Sequence, residues 1–166
     1  MPRVGTTGVA KEYWVADPTG AGTVVTLAAP TAVQVNTGVR IDTFMRRDGR
    51  SIPQSGATID IADAGSRFNK RGLGTYGGDD AELKLYRDST SGADTMYPLF
   101  KQGLYGFLIV FPFGTAGATP AAADKVEVYR MGIVARENSP RAENDPQIIT
   151  VKLAILDLND DLTALA

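Results

Sequence analysis

Ile149-Thr150-Val151-Lys152-Leu153-Ala154-Ile155 is the most regular stretch of the chain, with aliphatic residues at every odd position and Thr, Lys and Ala between them. Side chains alternate between the two faces of a strand, so this pattern predicts a β-strand with one face buried. Ala81-Glu82-Leu83-Lys84-Leu85 repeats the pattern in shorter form. In Lys125-Val126-Glu127-Val128-Tyr129 the alternation runs on until its phase shifts at Met131 and Ile133. A slip of phase beside Gly132 predicts a bulge or bend in one long strand. Tyr105 to Phe111 is continuously apolar, aromatic and β-branched, as expected of a strand covered on both faces. Thr23–Leu27 and Ala32–Val35 flank Ala29-Pro30 and read as two further short strands.

One helix interrupts this pattern, expected over Thr95–Gln102. Asp94 or Thr95 can cap it, Pro98 falls in its first turn, Met96, Leu99 and Phe100 share a face, and Gly103 ends it. The Ala, Gly, Thr and Pro run from Gly114 to Ala123 reads as a mobile loop. The fold class that follows is mainly β: sheets forming a sandwich or barrel, one short flanking α-helix and a long extended loop.

The chain has 166 residues, the size of one domain. It contains 18 glycines and 9 prolines, above average usage, which fits short elements joined by many turns. It has no cysteine and no histidine. Disulfides, thiolate metal sites, cysteine nucleophiles and the serine–histidine–carboxylate triad are thereby removed, and a binding or structural role gains weight over catalysis. No signal-peptide pattern opens the chain, and its longest apolar run is far shorter than the roughly 18 residues that span a bilayer, so no membrane anchor is expected.

Charge is unevenly spread. Residues 1–39 are neutral, residues 40–71 carry +3, and the remainder carries −5. The basic stretch holds Arg40, Arg46, Arg47, Arg50, Arg67, Lys70 and Arg71 among glycines and prolines and reads as a long loop or extended arm, with Asp48-Gly49 as a hairpin signal that Ile41, Phe44 and Ile52 could flank with short strands. Its cations could bind phosphates or rim a protein interface; the second fits a modest net charge and few stacking aromatics better. The arm is too polar to be core, so removing residues 43–70 is expected to leave the domain folded.

Three motifs have plainer readings. Gly72, Gly74 and Gly77 match the dinucleotide-loop spacing, but no strand pattern precedes them and no helix pattern follows, so they read as a flexible loop. Asp157, Asn159 and Asp161 have the alternate-oxygen spacing of a calcium loop but lack its turn glycine and its glutamate. Residues 158–166 read instead as a solvated tail, or as a helix begun by Asn159. Asp60 with Asp63 and Asp79 with Asp80 read as turn carboxylates.

The order of these elements over residues 79–157 resembles the major tail tube proteins of long-tailed (siphovirus-type) bacteriophages. The match comprises Asp79-Asp80, the strand Glu82 to Leu85, the helix Thr95 to Gln102, the strand Gly106 to Val110, the alanine-rich loop running into Asp124 to Tyr129, and the last strand from Ile148 to Leu156. The resemblance implies one tail-tube domain over residues 1–166 and no cofactor. It implies a non-enzymatic virion protein whose copies, six to a ring, stack into a tube through which DNA passes. Tape-measure, terminator and baseplate or tip proteins would be its other partners, and the host cytoplasm its place of assembly. In that frame residues 1–18 are an extended N-terminal segment, residues 39–76 a long inter-subunit loop and residues 158–166 a tail. Arg46, Arg47, Arg50, Arg67, Lys70 and Arg71 become the inter-ring contact, and Glu82, Asp124 and Glu127 the candidates for acidic residues facing the lumen. A tail terminator or head–tail joining protein is the alternative within the class. A capsid-decorating or carbohydrate-binding β-sandwich, with Trp14 as its one indole platform, is the alternative outside it.

Reversing Arg46 and Arg47 to glutamate is expected to weaken stacking, and to do so less as salt is raised, since screening suppresses exposed charge interactions. Sedimentation of assemblies across a salt series checks this; unchanged assembly at every salt concentration would count against it.

Overall fold

The computed structural model describes residues 10–61, 70–78, 80–87, 94–138 and 147–166. Among them are nine strands and two short helices: β1 (Lys11–Asp17), α1 (Ala32–Asn36), β2 (Val39–Arg40), β3 (Met45–Ser51), β4 (Gln54–Ile61), β5 (Lys70–Gly78), β6 (Ala81–Tyr86), α2 (Met96–Leu99), β7 (Tyr105–Phe111), β8 (Lys125–Asn138) and β9 (Ile148–Ala164). Seven strands form one antiparallel sheet in the order β2-β1-β7-β8-β9-β6-β3, while β4 and β5 form a separate hairpin.

The pair β8 and β9 is the axis of the sheet. Its register shifts three times, between Val126 and Val128, Arg130 and Met131, and Ile133 and Ala135. Each extra residue bends the strand and increases its twist, and the sheet curls into a half-barrel. The expected phase shift near Gly132 is therefore present, as one of three.

Curling gives the sheet an enclosed face and an outer face. Residues opposite each other on antiparallel strands share a face. Trp14, Leu108 and Tyr129 form one such row, and with Met131, Val151, Leu153, Leu83 and Leu85 they line the enclosed core. Met96 and Phe100 from the α2 region cover it, Phe100 packing at 4.9 Å from the Trp14 ring. At Gly106 a β-carbon would sit 2.4 Å from that indole, so only glycine lets the ring lie there. On the outer face Val15, Phe107, Ile109, Phe111, Val126 and Val128 form a second core, beneath Val25, Val35 and Leu165. β7 is buried on both sides, as its unbroken apolar run predicts.

Several local expectations are corrected. Ala32–Val35 is helical: Thr31 accepts from the Gln34 amide at 3.2 Å and Gln34 accepts from the Thr31 amide at 3.0 Å, a capping box that outweighs the β-branched residues. Thr23–Leu27 forms no strand and lays Val25 into the outer core. α2 is shorter than expected, and its amides at Met96 and Tyr97 are capped by the Asp94 carboxylate, not by Thr95. Asp48-Gly49 lies inside β3, at a bulge, instead of turning a hairpin. The glycines at 72, 74 and 77 belong to β5, paired with β4, so they form neither a phosphate loop nor a flexible one. The loop from Gly114 to Ala123 is braced: the Lys11 ammonium donates to Thr115 Oγ1 and to the carbonyls of Gly117 and Ala118, while Asp124 accepts from the amides of Ala116 and Ala121.

Residues 158–166 are neither a tail nor a helix. They continue β9 along β8 to the pair Ala164 and Lys125, Leu165 is buried, and Ala166 exchanges backbone hydrogen bonds with Pro30 and Ala32. Asn159 donates to the Leu27 carbonyl at 2.7 Å instead of starting a helix.

Residues 39–76 hold four strands where one long loop was expected, and one of them, β3, is an edge of the main sheet. Phe44, Met45 and Ile52 pack against the enclosed core and Ile41 is fully buried in it. The expectation for the 43–70 deletion is therefore revised: it removes β3 and is predicted to abolish the cooperative melt. Gln54 and Gly78 are paired residues, about 5 Å apart. Replacing only residues 55–77 by an Asn-Gly turn is predicted to leave the β-type circular dichroism spectrum and a cooperative transition. Equal loss in both variants would contradict this division.

Candidate assembly surfaces

The curl brings β3, at one edge of the sheet, back against β1, next to the other. Arg50 of β3 places Nη1 2.6 Å from Oε1 of Glu12 on β1. Glu12 is 6% exposed and its Oε2 has no partner among the described residues. Burial pushes its carboxyl above the ordinary range, with Arg50 pulling down and Asp42 adding a smaller push upward. The neighbouring chain supports the closure: the Ile41 amide donates to the Glu12 carbonyl at 2.8 Å and the Tyr86 amide to the Phe44 carbonyl at 2.7 Å. Arg50 thus helps close its own domain while its side chain stays partly exposed.

The remaining basic candidates separate. Arg46 and Arg47 are exposed on β3, and Arg46 pairs with Asp48 at 2.8 Å. Lys70 and Arg71 lie in β5, in register with Ile61 and Asp60 of β4. Arg67 lies outside the described residues, as do Asp63 and Asp79.

The acidic candidates separate as well. Asp124 is 9% exposed and both its oxygens accept from its own loop, so it is withdrawn as a free lumen charge. Glu127 lies in the row of Val110, on the face of the enclosed core, and accepts from the Tyr129 hydroxyl at 3.0 Å. Glu82 alone of the three points to the outer face, away from buried Leu83.

On that outer face the covering layer is incomplete. It shields β1, β7 and the first half of β8 and stops at Gly20 and Gly22, which lie against Tyr105 and Arg130; Arg130 donates to the Gly20 carbonyl at 2.7 Å. Past this line the outer face of β6, of β9 as far as Leu156 and of the second half of β8 has no covering layer among the described residues. Two kinds of surface occupy it. The first is a set of charge pairs, Lys84 with Glu82 at 2.8 Å and Lys152 with Glu137 at 2.9 Å. Glu137 first, with Glu82 and Asp80 adding, holds the Lys152 ammonium above its ordinary range. The second is a groove of about 220 Å³ lined by Leu104, Tyr105, Val134, Ala154 and Leu156 over Gly132. Tyr105, Gly132 and Ala154 form one row across the sheet, and the missing side chain at Gly132 opens the space between Tyr105 and Leu156. Composition and charge runs passed over both surfaces; the Thr150, Lys152, Ala154 side of the regular strand was the available signal.

Trp14 is 1% exposed, so it offers no platform to a carbohydrate. Among the described residues no three acidic side chains gather as a metal site, and none of the described helices is long and apolar enough to cross a membrane.

Arg50→Met should leave the Glu12 carboxylate unpaired and cost about 1–3 kcal/mol at pH 7. An unpaired buried carboxyl has a folded pKa raised further above its unfolded value, so the charged form costs stability above the folded pKa and the cost fades as pH falls toward the unfolded one. Urea melts at pH 7 and pH 4 check this; a deficit that grows toward pH 4 would contradict it.

The family model for phage tail tube proteins matches residues 1–166, the whole chain. No curated protein sequence matches it. A chain in the six-fold symmetrised cryo-EM structure of the anti-feeding prophage baseplate shares the fold, with a TM-score of 0.56 at 10% identity over 96% of this chain and 95% of that one. A crystal structure of an Hcp protein aligns over 87% of this chain and 88% of its own at 9% identity, with a TM-score of 0.40. On a match that runs from the first residue to the last, over a half-barrel whose outer face is only partly covered, this chain belongs to the phage tail tube protein family: it is a structural component of the tail.

Proposed function

We propose that the subunit assembles into rings of six that stack into a tube, and that DNA passes along the channel without any catalytic step. The observation that carries this reading is the outer face left without cover over β6, β9 and the second half of β8. A sheet covered over one half and bare over the other leaves surface for a neighbour or a channel, and tube geometry supplies both. The six-fold symmetry of the baseplate whose chain shares the fold supports six as the ring number.

The charge pairs of the uncovered face suit a channel wall. Lys84 with Glu82 and Lys152 with Glu137 sum to zero. A phosphate backbone binds where cations are free to replace its counterions, and a wall whose cations are already paired holds it weakly. In this reading Glu82 is lumen-facing, and Arg46 and Arg47, on the free edge of β3, meet a neighbouring subunit. The other tail partners are tape-measure, terminator and baseplate proteins, met during assembly in the host cytoplasm. A structural family, with neither histidine nor cysteine in the chain, supports a non-enzymatic reading.

Negative-stain microscopy of the purified protein at rising concentration, with its solution mass, tests this. Rings that lengthen into tubes with an open channel are the expected outcome. A single-ring species at every concentration would favour the terminator reading, and a closed trimer would contradict a tube.

A further inference from the structure

Seven large hydrophobic side chains are exposed among the described residues: Val33, Leu104, Tyr105, Phe113, Val134, Leu156 and Leu162. Val33 lies on α1, and the other six fall toward the two ends of β7. Leu104, Tyr105, Val134 and Leu156 line the groove where β7 begins. Phe113, 54% exposed, follows the other end of the strand, and Leu162 lies near that end, beside the pair Thr163 and Val126. Six steps of about 3.3 Å put roughly 20 Å between Tyr105 and Phe111, and Phe113 lies in the turn that the Gly114 amide closes onto the Phe111 carbonyl.

Each end is built to hold its shape. Phe113 enters the loop braced by Lys11 and Asp124, so its position is not that of a free loop tip. The groove has Gly132 as its floor, where a β-carbon would meet the Tyr105 ring at 3.4 Å and Leu156 at 3.8 Å. The groove is open on one side, and its volume of about 220 Å³ is above the roughly 150 Å³ of an apolar cavity that takes up benzene, so it has the volume for a phenyl ring.

We infer that Phe113 of one subunit seats in the groove over Gly132 of another. Knob and socket are different surfaces of one chain, so the contact is heterologous: each copy that donates a knob still offers its own socket, and growth continues wherever the rotation between copies does not close a ring. This inference rests on the tube reading and deepens it by naming an apolar contact that carries subunits head to tail, beside any contact made by the basic strand β3. It also accounts for exposed apolar surface that a free monomer would gain nothing by keeping.

The test uses tubes grown from an equal mixture of isotopically light and heavy full-length protein carrying the photoreactive p-benzoylphenylalanine in place of Phe113, which keeps an aromatic knob. After irradiation, mass spectrometry maps the adducts, and mixed light–heavy pairs identify links between copies. Adducts between copies on the peptides holding residues 103–105, 132–134 or 154–156 are expected. Adducts confined to other surfaces of intact tubes would overturn the inference and leave the tube reading standing. Failure of the unmodified protein to form any tube would overturn both. Independently, Gly132→Val fills the socket, and the expected result is loss of tubes from a protein whose circular dichroism is unchanged. Tubes of ordinary length from folded Gly132→Val would overturn the inference.

Discussion

Everything in this fold depends on the antiparallel pairing of β8 with β9 and on the three register shifts within it. Without the bulges the two longest strands would support a flat sheet, and a flat sheet has no enclosed face. With them, the half of the pair nearest Lys125 carries β7 and β1, and the half nearest Ile148 carries β6 and β3. The two wings then face each other across Trp14, Phe100, Leu85 and Val151. The Arg50–Glu12 pair is a consequence of that curl and its lock: a charge on one wing reaches a buried carboxylate on the other. The lock is costly to break from one side only, because the partner left behind is a buried charge.

The curl also divides the outer face. A covering layer from residues 17–35, tied down by Asn159, Ala166 and Arg130, occupies the wing of β1 and β7. The wing of β6 keeps a polar outer surface whose charges neutralise one another, and the border between the two is the groove beneath Tyr105 and Leu156. One strand pair thus sets a core, a lock and three surfaces of different character. Those surfaces are what a subunit of a tube needs, and they arise from bending without any extra element.

Strand alternation made much of this legible before any coordinates. Ile149 to Ile155 and Ala81 to Leu85 alternate because one side of each faces the enclosed core, and Tyr105 to Phe111 does not because both its sides are covered. Misreadings arose where a local signal was outvoted. Thr31 and Gln34 closed a capping box around residues that look like a strand. Met45–Ser51 reads as a polar arm because an edge strand with Arg46 and Arg47 outward shows little hydrophobic pattern, and its Gly49 sits at a bulge that breaks the period. The end of β9 was hidden by its Asp and Asn content, which is compatible with a strand that has one face in water. The candidate charges were legible as charges but not as partners. In the sequence Arg50 and Asp124 look no different from Arg46 and Glu82, and only the curl shows that one spans the sheet and the other caps a loop. The groove left only an indirect trace, the small Ala154 on the outer side of the regular strand and the phase slip at Gly132, since it is made by a side chain that is missing.

The central claim is that the uncovered wing of the half-barrel faces a channel while the rest of the subunit builds the wall around it. A helical cryo-EM reconstruction of the assembled protein tests it most directly. The account predicts stacked six-membered rings with Glu82, Lys84 and Lys152 turned to the lumen and the layer of residues 17–35 turned away from it. A tube whose lumen is lined by the residues 17–35 layer, with the β6 and β9 wing on the outside, would contradict it.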